Sequence, residues 1–280
     1  MEVLSDIFRS MRVEGSVYFC DMLEAPWEKV FSGTRQAGFH MVRRGECRLT
    51  VGDRNERLGP GDLVFLGPGI DHVLSSVSQE PGDSPAETLL LCGYFGFADD
   101  TVTPLRDLFR QVTIVRDQDL ISHPWLRSTF DQLSAEYLAQ SPGSELIVNK
   151  LTEVALIELV RINFARQDRV PFLKALDDAY VSRALARLHE SPALPWTLDS
   201  LAQEVGLSRA AFAKRFKSLV GQPMFDYLTD LRIQKAKDLL AGTGMPVYEV
   251  ASLSGYESEL AFVRAFKRRA GQTPRQYRNQ

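Results

Sequence analysis

A pattern written twice in the last third of the chain constrains its fold more than any other feature. Leu198-Asp199-Ser200-Leu201-Ala202-Gln203-Glu204-Val205-Gly206-Leu207-Ser208 returns 49 positions later as Val247-Tyr248-Glu249-Val250-Ala251-Ser252-Leu253-Ser254-Gly255-Tyr256-Glu257, alike in polarity more than in identity. Each copy leads into a run that is apolar at four-residue spacing and basic between, with Phe212 and Phe216 in the first and Phe262 and Phe266 in the second. Gly221-Gln222-Pro223 stops one run and Gly271-Gln272-Thr273-Pro274 the other, and Tyr227 and Tyr277 follow at matching distances. A short helix, a turn holding glycine and a second amphipathic helix make a helix-turn-helix, whose second helix fits the DNA major groove. Two of them within about 80 residues imply two reading heads.

At 280 residues the chain is long enough for two domains, each with its own core. No apolar run approaches the roughly 18 residues that span a bilayer. The start, Met1-Glu2-Val3-Leu4-Ser5-Asp6, lacks the basic and apolar regions of a signal peptide, so a cytoplasmic protein without a membrane partner is expected. Three widely spaced cysteines imply thiols in a reducing compartment, not a disulfide framework. The net charge of −3 conceals an uneven division, because residues 173–280 carry 16 Lys and Arg against 11 Asp and Glu, a net of +5. Lys214, Arg215 and Lys217 load the first recognition helix, and Arg264, Lys267, Arg268 and Arg269 the second, where cations neutralise phosphates and release counterions.

Ahead of the repeat the rhythm changes. Leu4, Ile7, Phe8 and Met11 fit a short amphipathic helix over residues 1–12. From Gly15 to Phe97, short β-branched and aromatic runs at 39–42, 48–51, 63–66, 73–77 and 88–97 alternate with glycine and proline turns, the pattern of an all-β barrel or sandwich. Two longer helices are predicted over 124–139 and 143–165. Ile147, Leu151, Val154, Ala155 and Ile157, widened by Leu146, Val148, Leu156, Leu159 and Val160, give the second of these an apolar stripe too broad for one neighbour. It packs either wholly inside its own subunit or also against a second copy, as in a homodimer. A helix from about 173 to 189 then opens the last domain, with Thr197 and Ser208 as N-caps further on. A helix over 224–240, about 25 Å long, joins the heads and sets them one turn of DNA apart, in successive major grooves. The fold class is α+β multidomain: residues 1–100 a β-barrel, 101–166 a helical connector with dimerisation helices, 167–172 a linker, and 173–280 the all-α tandem helix-turn-helix domain.

Trp196 to Arg278 resembles the DNA-binding domain of the AraC/XylS family of transcription regulators. The resemblance is carried by residues 208–216, Leu231-Arg232-Ile233-Gln234-Lys235-Ala236-Lys237-Asp238-Leu239-Leu240, Gly255-Tyr256-Glu257-Ser258, Phe262-Val263-Arg264-Ala265-Phe266-Lys267 and Gly271-Gln272-Thr273-Pro274-Arg275-Gln276-Tyr277-Arg278. It implies base-facing positions at Arg209, Ala210, Ala213 and Lys214 in the first head and at Ser258, Glu259, Leu260, Val263 and Arg264 in the second. Arg or Lys to guanine is the commonest specific contact, which singles out Arg209, Lys214 and Arg264, while Lys217 and Lys267 are assigned to phosphates. The implied partners are double-stranded promoter DNA and RNA polymerase.

The first half is similar to the cupin-type sensor domains of part of that family. Phe39-His40-Met41-Val42-Arg43-Arg44-Gly45-Glu46 resembles the first cupin motif and residues 58–72, ending in His72, the second. Val42 stands where enzymatic cupins have a second metal-binding histidine, which argues against a metal-dependent oxygenase, the competing reading. Cys20 and Cys92 lie in apolar runs of the same barrel and, if they point inward beside His40 and His72, complete a Cys2His2 set suited to zinc. The alternative is that both are small core hydrophobes. The same two cysteines resemble those of family members that respond to reactive chlorine and other oxidants, which implies oxidation of Cys20 and Cys92 through a sulfenic acid to a disulfide, with Cys47 taking no part. The chain thus reads as a sequence-specific regulator whose barrel senses an oxidant, a metal or a small molecule near Phe39, His40, Phe65 and His72. A DNA binder that answers to no effector is the third reading.

Overall fold

The computed structural model describes residues 3–11, 13–34, 36–77, 87–97, 112–165 and 171–279. They form two compact units. One runs from Val13 to Ala165; the other combines α1 (Val3–Met11) with the chain from Pro171 onward.

The first unit is a two-sheet antiparallel β-structure. A five-stranded sheet has the order β1 (Val13–Glu24), β8 (Glu87–Phe97), β3 (Ala37–Arg44), β6 (Leu63–Leu66), β9 (Val112–Val115). The other sheet has the order β2 (Glu28–Phe31), β7 (His72–Ser76), β4 (Cys47–Val51), β5 (Arg54–Leu58). Side chains alternate across each strand, so one set from both sheets meets in a shared interior: Val42, Cys47, Leu49, Leu58, Val64, Leu66, Leu74, Leu90 and Cys92. The opposite face of the larger sheet carries Phe39, whose ring lies 5.4 Å from Phe130 of α3 (Pro124–Ala139). α4 (Ser144–Ala165) packs on α3 and on β1. A short α2 (Asp117–Leu120) follows β9. The β5 strand escapes sequence reading because Arg54-Asn55-Glu56-Arg57 is charged, as suits the edge of a sheet.

In the second unit, α5 (Pro171–Asp177) and α6 (Val181–Glu190) replace the single helix expected over 173–189. The break is made by Asp178, whose carboxylate accepts the N–H groups of Tyr180 (3.1 Å) and Val181 (3.0 Å) and so starts a new helix. Of the expected linker, residues 167–170 lie outside the described residues, while Pro171 and Phe172 are helical. The expected start of the barrel at residue 1 also moves, because α1 buries Val3, Leu4 and Ile7 and packs against α6.

The two heads are α7 (Leu198–Val205) with α8 (Arg209–Val220), and α10 (Val247–Leu253) with α11 (Glu259–Ala270), followed by α12 (Pro274–Arg278). Between them α9 (Met224–Gly242) spans 19 residues, about 28 Å. Its first half buries Met224, Tyr227 and Leu228, with Tyr227 edge-on to Phe216 at 5.9 Å. Its second half packs Ile233, Ala236 and Leu240 with Val250, Ala251, Phe262 and Phe266. Arg232 fastens the joint: its Nε donates to the Pro192 carbonyl (2.8 Å), its Nη2 to that of Leu194 (2.7 Å), and its guanidinium lies over the Tyr256 ring.

Gly255 closes this joint at φ +84°, where a Cβ would stand 2.7 Å from the Ala193 backbone, whereas Gly221, at φ +86°, faces open space. Gly221→Ala should cost about 1–2 kcal/mol for the left-handed backbone alone. Gly255→Ala should cost measurably more in denaturant unfolding, and equal losses would remove the close approach from the account. His189 supplies a pH dependence. Burial outweighs the attraction of Asp6, 3.7 Å away, and lowers its pKa to about 4. The folded state thus takes up its proton later than the unfolded state, whose ordinary value is about 6.5, so stability is complete above that pH and falls as pH drops toward 4. His189→Gln should flatten this acid limb when amide exchange in α6 is followed against pH.

Candidate functional site

The two recognition helices start and stop alike. Ser208 accepts the N–H of Ala211 and Ser258 that of Ala261, while Gly221 and Gly271 end the helices in the left-handed conformation. The caps put the helices in register at an offset of 50 residues, pairing Arg209 with Glu259, Ala210 with Leu260, Ala213 with Val263, Lys214 with Arg264 and Lys217 with Lys267. Phe212, Phe216, Phe262 and Phe266 are fully buried. Of the residues singled out from the sequence, Arg209, Ala210, Lys214, Lys217, Ser258, Glu259, Leu260, Arg264 and Lys267 are exposed, and Ala213 and Val263 are half-buried beside them.

Contacts sort the basic residues in a way that charge counting does not. Arg215 is bound by Asp178, with Nε to Oδ2 at 2.8 Å, and stacks over Tyr180. That hydrogen bond holds the Asp178 carboxyl below its ordinary pKa. Arg269 reaches Asp226 (2.6 Å) and Asp230 (3.1 Å). These two arginines are committed to contacts within the unit. Arg209 touches Asp199 at 3.2 Å with both side chains about two-thirds exposed, a pairing worth at most about 1 kcal/mol and readily exchanged for a DNA contact. Arg268 is exposed and adds a cation to the second head that the resemblance did not select.

In the barrel, β3 and β7 bring His40 and His72 together across the interior, with their Nε2 atoms 2.8 Å apart. Burial lowers both pKa values, for His40 well below the usual range with His72 adding to the effect, so both rings are neutral at neutral pH. His72 Nδ1 lies 3.0 Å from the Ile70 carbonyl, which only accepts, so Nδ1 carries the proton and Nε2 a lone pair. His40 Nε2–H therefore donates to His72, and the lone pair of His40 is left on Nδ1, buried and without a hydrogen-bond partner.

The cysteines depart from expectation. Cys92 stands opposite His40 in the β3–β8 ladder and faces the interior. Cys20 stands opposite Leu91, and Leu91 opposite Met41, which puts Cys20 on the other face of the sheet. The thiol that shares the interior with Cys92 is Cys47, the one set aside from the sequence. Burial raises the pKa of all three, that of Cys47 to about 12, which disfavours the nucleophilic thiolate. The redox pair Cys20–Cys92 is thus split by the sheet itself. The zinc set of Cys20, His40, His72 and Cys92 does not fit either: one cysteine points away, and the histidines spend their Nε2 atoms on each other. Among the described residues no three His, Cys, Asp or Glu side chains gather as a metal site. Glu46 pairs with Arg57 at the surface.

His40 and His72 instead line a cavity of about 410 Å³ together with Tyr18, Phe31, Gln36 and Tyr94. Phe31 lies parallel to His72, with ring centres 4.8 Å apart, and Tyr18 stacks with Tyr94 at 6.4 Å. Only Phe31 among these aromatics comes from the short β2 strand that sequence reading passed over.

Comparison with known proteins finds a similar two-part organisation, with α1 counted in the first part. A cupin family model matches residues 2–165 and a helix-turn-helix domain model residues 201–280. A Streptomyces antibioticus protein named as an AraC-like transcription regulator is 31% identical over 301 residues, 99% of this chain and 98% of its own. The HTH-type transcriptional regulator AlkR of Acinetobacter baylyi is 28% identical over the full length of both chains. The RCS-specific HTH-type transcriptional activator RclR of Escherichia coli is 28% identical over 86% of this chain and 83% of its own.

The sorting of basic residues gives a paired expectation. Lys217→Ala should weaken binding to all DNA sequences alike and reduce the salt slope by about one, with the melting temperature unchanged. Arg215→Ala should lower the melting temperature and leave the salt slope intact. An Arg215→Ala protein that melts like the parent but loses salt dependence would reverse the two assignments.

Proposed function

The chain belongs to the AraC-like transcription regulators that carry an N-terminal cupin domain, and we propose that it reads a two-part promoter site through Arg209, Lys214 and Arg264 in response to a signal received in the barrel. It is a regulator and not an enzyme, as are the named relatives. The observation that carries the reading is the pair of exposed, capped helices mounted on α9, each offering a cation at the same helical position, Lys214 and Arg264. Lys217, Lys267 and Arg268 hold phosphates and fix the register; the first turns of the helices meet base edges. The protein acts in the cytoplasm on double-stranded promoter DNA, with RNA polymerase as the partner that feels the outcome.

A small molecule is the signal best supported. The cavity beside His40 offers room and polarity, whereas a thiol signal through Cys20 and Cys92 requires two groups on opposite faces of one sheet to meet. Zinc has no part in this reading. The working form is a homodimer built on α4, where Leu146, Ile147 and Val154 remain exposed although Val148, Ala155, Leu156 and Leu159 of the same helix are buried.

Sequencing the genomic DNA that co-purifies with the protein should return a motif of two half-sites about 10 base pairs apart. In gel shifts with randomised operators, Arg264→Ala should weaken specific binding by about 1–3 kcal/mol and relax one base position. A selected motif left intact by Arg264→Ala would overturn the assignment of that residue. Val154→Glu should halve the mass measured by light scattering; an unchanged mass would remove α4 from the interface.

A further inference from the structure

The recognition helix of the second head carries an apolar side chain that its own fold does not use. At 3.6 residues per turn, Leu260, Arg264 and Lys267 fall within about 60° of one another on α11, on the side away from Phe262 and Phe266. The core of this head takes in Val263, which lies between that strip and the buried rings, but not Leu260, which is 61% exposed. The first head repeats the strip as Ala210, Lys214 and Lys217, so the apolar position is common to both heads and its reach differs. Within the protein itself leucine has no advantage there, because it lies outside the core of its head and alanine is the better helix former.

The neighbours on the strip point to what covers it. Arg264 and Lys267 are exposed cations and Arg268 adds a third, so the surface around Leu260 suits a polyanion better than an apolar protein face. In a helix-turn-helix the first turn of the second helix meets the base edges, and Leu260 is the second residue of α11 after its cap, Ser258. In the major groove only thymine offers an apolar group, its C5 methyl; the other bases present amines, carbonyls and ring nitrogens. A leucine laid on those groups strips them of water and returns no hydrogen bond, whereas a methyl gains by being covered. Leucine also extends two bonds beyond the Cβ at which Ala210 ends. Four residues separate Leu260 from Arg264, about 6 Å along the helix axis, or about two base-pair steps.

We propose that Leu260 is a specificity residue that packs on the C5 methyl of one thymine in the second half-site, within about two base pairs of the base read by Arg264. This rests on the reading of the chain as a two-headed regulator, and adds the base that its second head requires.

The test uses the full chain and an operator selected from randomised DNA, with each thymine of the two half-sites replaced in turn by uracil. Uracil keeps the hydrogen-bonding groups of thymine and lacks only the methyl. One replacement, within about two base pairs of the position that Arg264→Ala relaxes, should weaken binding about fourfold, the value of one buried methyl at about 0.8 kcal/mol. Leu260→Ala should bind the thymine operator about fourfold or more weakly than the parent and bind the thymine and uracil forms alike. Its melting temperature should match that of the parent, because residue 260 is exposed. A selected operator without thymine at that place, uracil bound there as well as thymine, a preference for thymine that survives Leu260→Ala, or a lowered melting temperature in that variant would each overturn the proposal. Any of these with operator binding still dependent on Arg264 refutes the thymine contact alone. A chain that selects no sequence from the random pool refutes the DNA reading, and the thymine contact with it.

Discussion

The joint at Arg232 is the constraint on which the DNA-binding unit depends. A helix-turn-helix of two short helices buries too little by itself, and here each head completes its core only by packing on the helix between them. Arg232 joins that helix to the carbonyls of Pro192 and Leu194, ahead of the first head, and to the ring of Tyr256 in the second. The approach of Gly255 to Ala193 leaves no room for a side chain at the same place. The spacing of the heads is therefore a property of a packed core and not of a flexible link, and DNA meets a rigid pair of reading surfaces.

The barrel illustrates the converse, that one residue of register decides which chemistry is available. His40 and Cys92 share an interior face because they are paired across adjacent strands, while Cys20, beside Leu91, falls on the face with Met41. Two cysteines that look alike in sequence, each in an apolar run, are thereby kept apart by a sheet. Two histidines 32 positions apart are brought to 2.8 Å. Their mutual hydrogen bond and the Ile70 carbonyl then fix the proton positions on both rings.

Much of this was legible from local pattern. The helix Pro124–Ala139 and the strand Leu63–Leu66 fall where periodicity puts them, and Thr197 and Ser208 cap the helices they were expected to cap, since these signals act over a few residues. The break at Asp178 was not legible, because its carboxylate serves both the start of α6 and Arg215, 37 residues away. Nor was the place of α1, whose apolar side chains Val3, Leu4 and Ile7 are buried in the unit formed by the far end of the chain. An amphipathic pattern states that a face is buried and is silent about what buries it.

The division between sequence and structure follows from the range of the forces. Helical periodicity, capping by serine and threonine, and glycine at left-handed positions are decided within a turn or two of chain, so the sequence by itself determined the two heads, their equivalent faces and the helix that joins them. Ion pairing, strand register and the meeting of side chains across a barrel depend on residues tens of positions apart. Only the tertiary structure could decide that Arg215 and Arg269 brace the fold while Lys214 and Arg264 face outward, that Cys47 and not Cys20 shares the interior with Cys92, and that His40 and His72 meet beside a cavity.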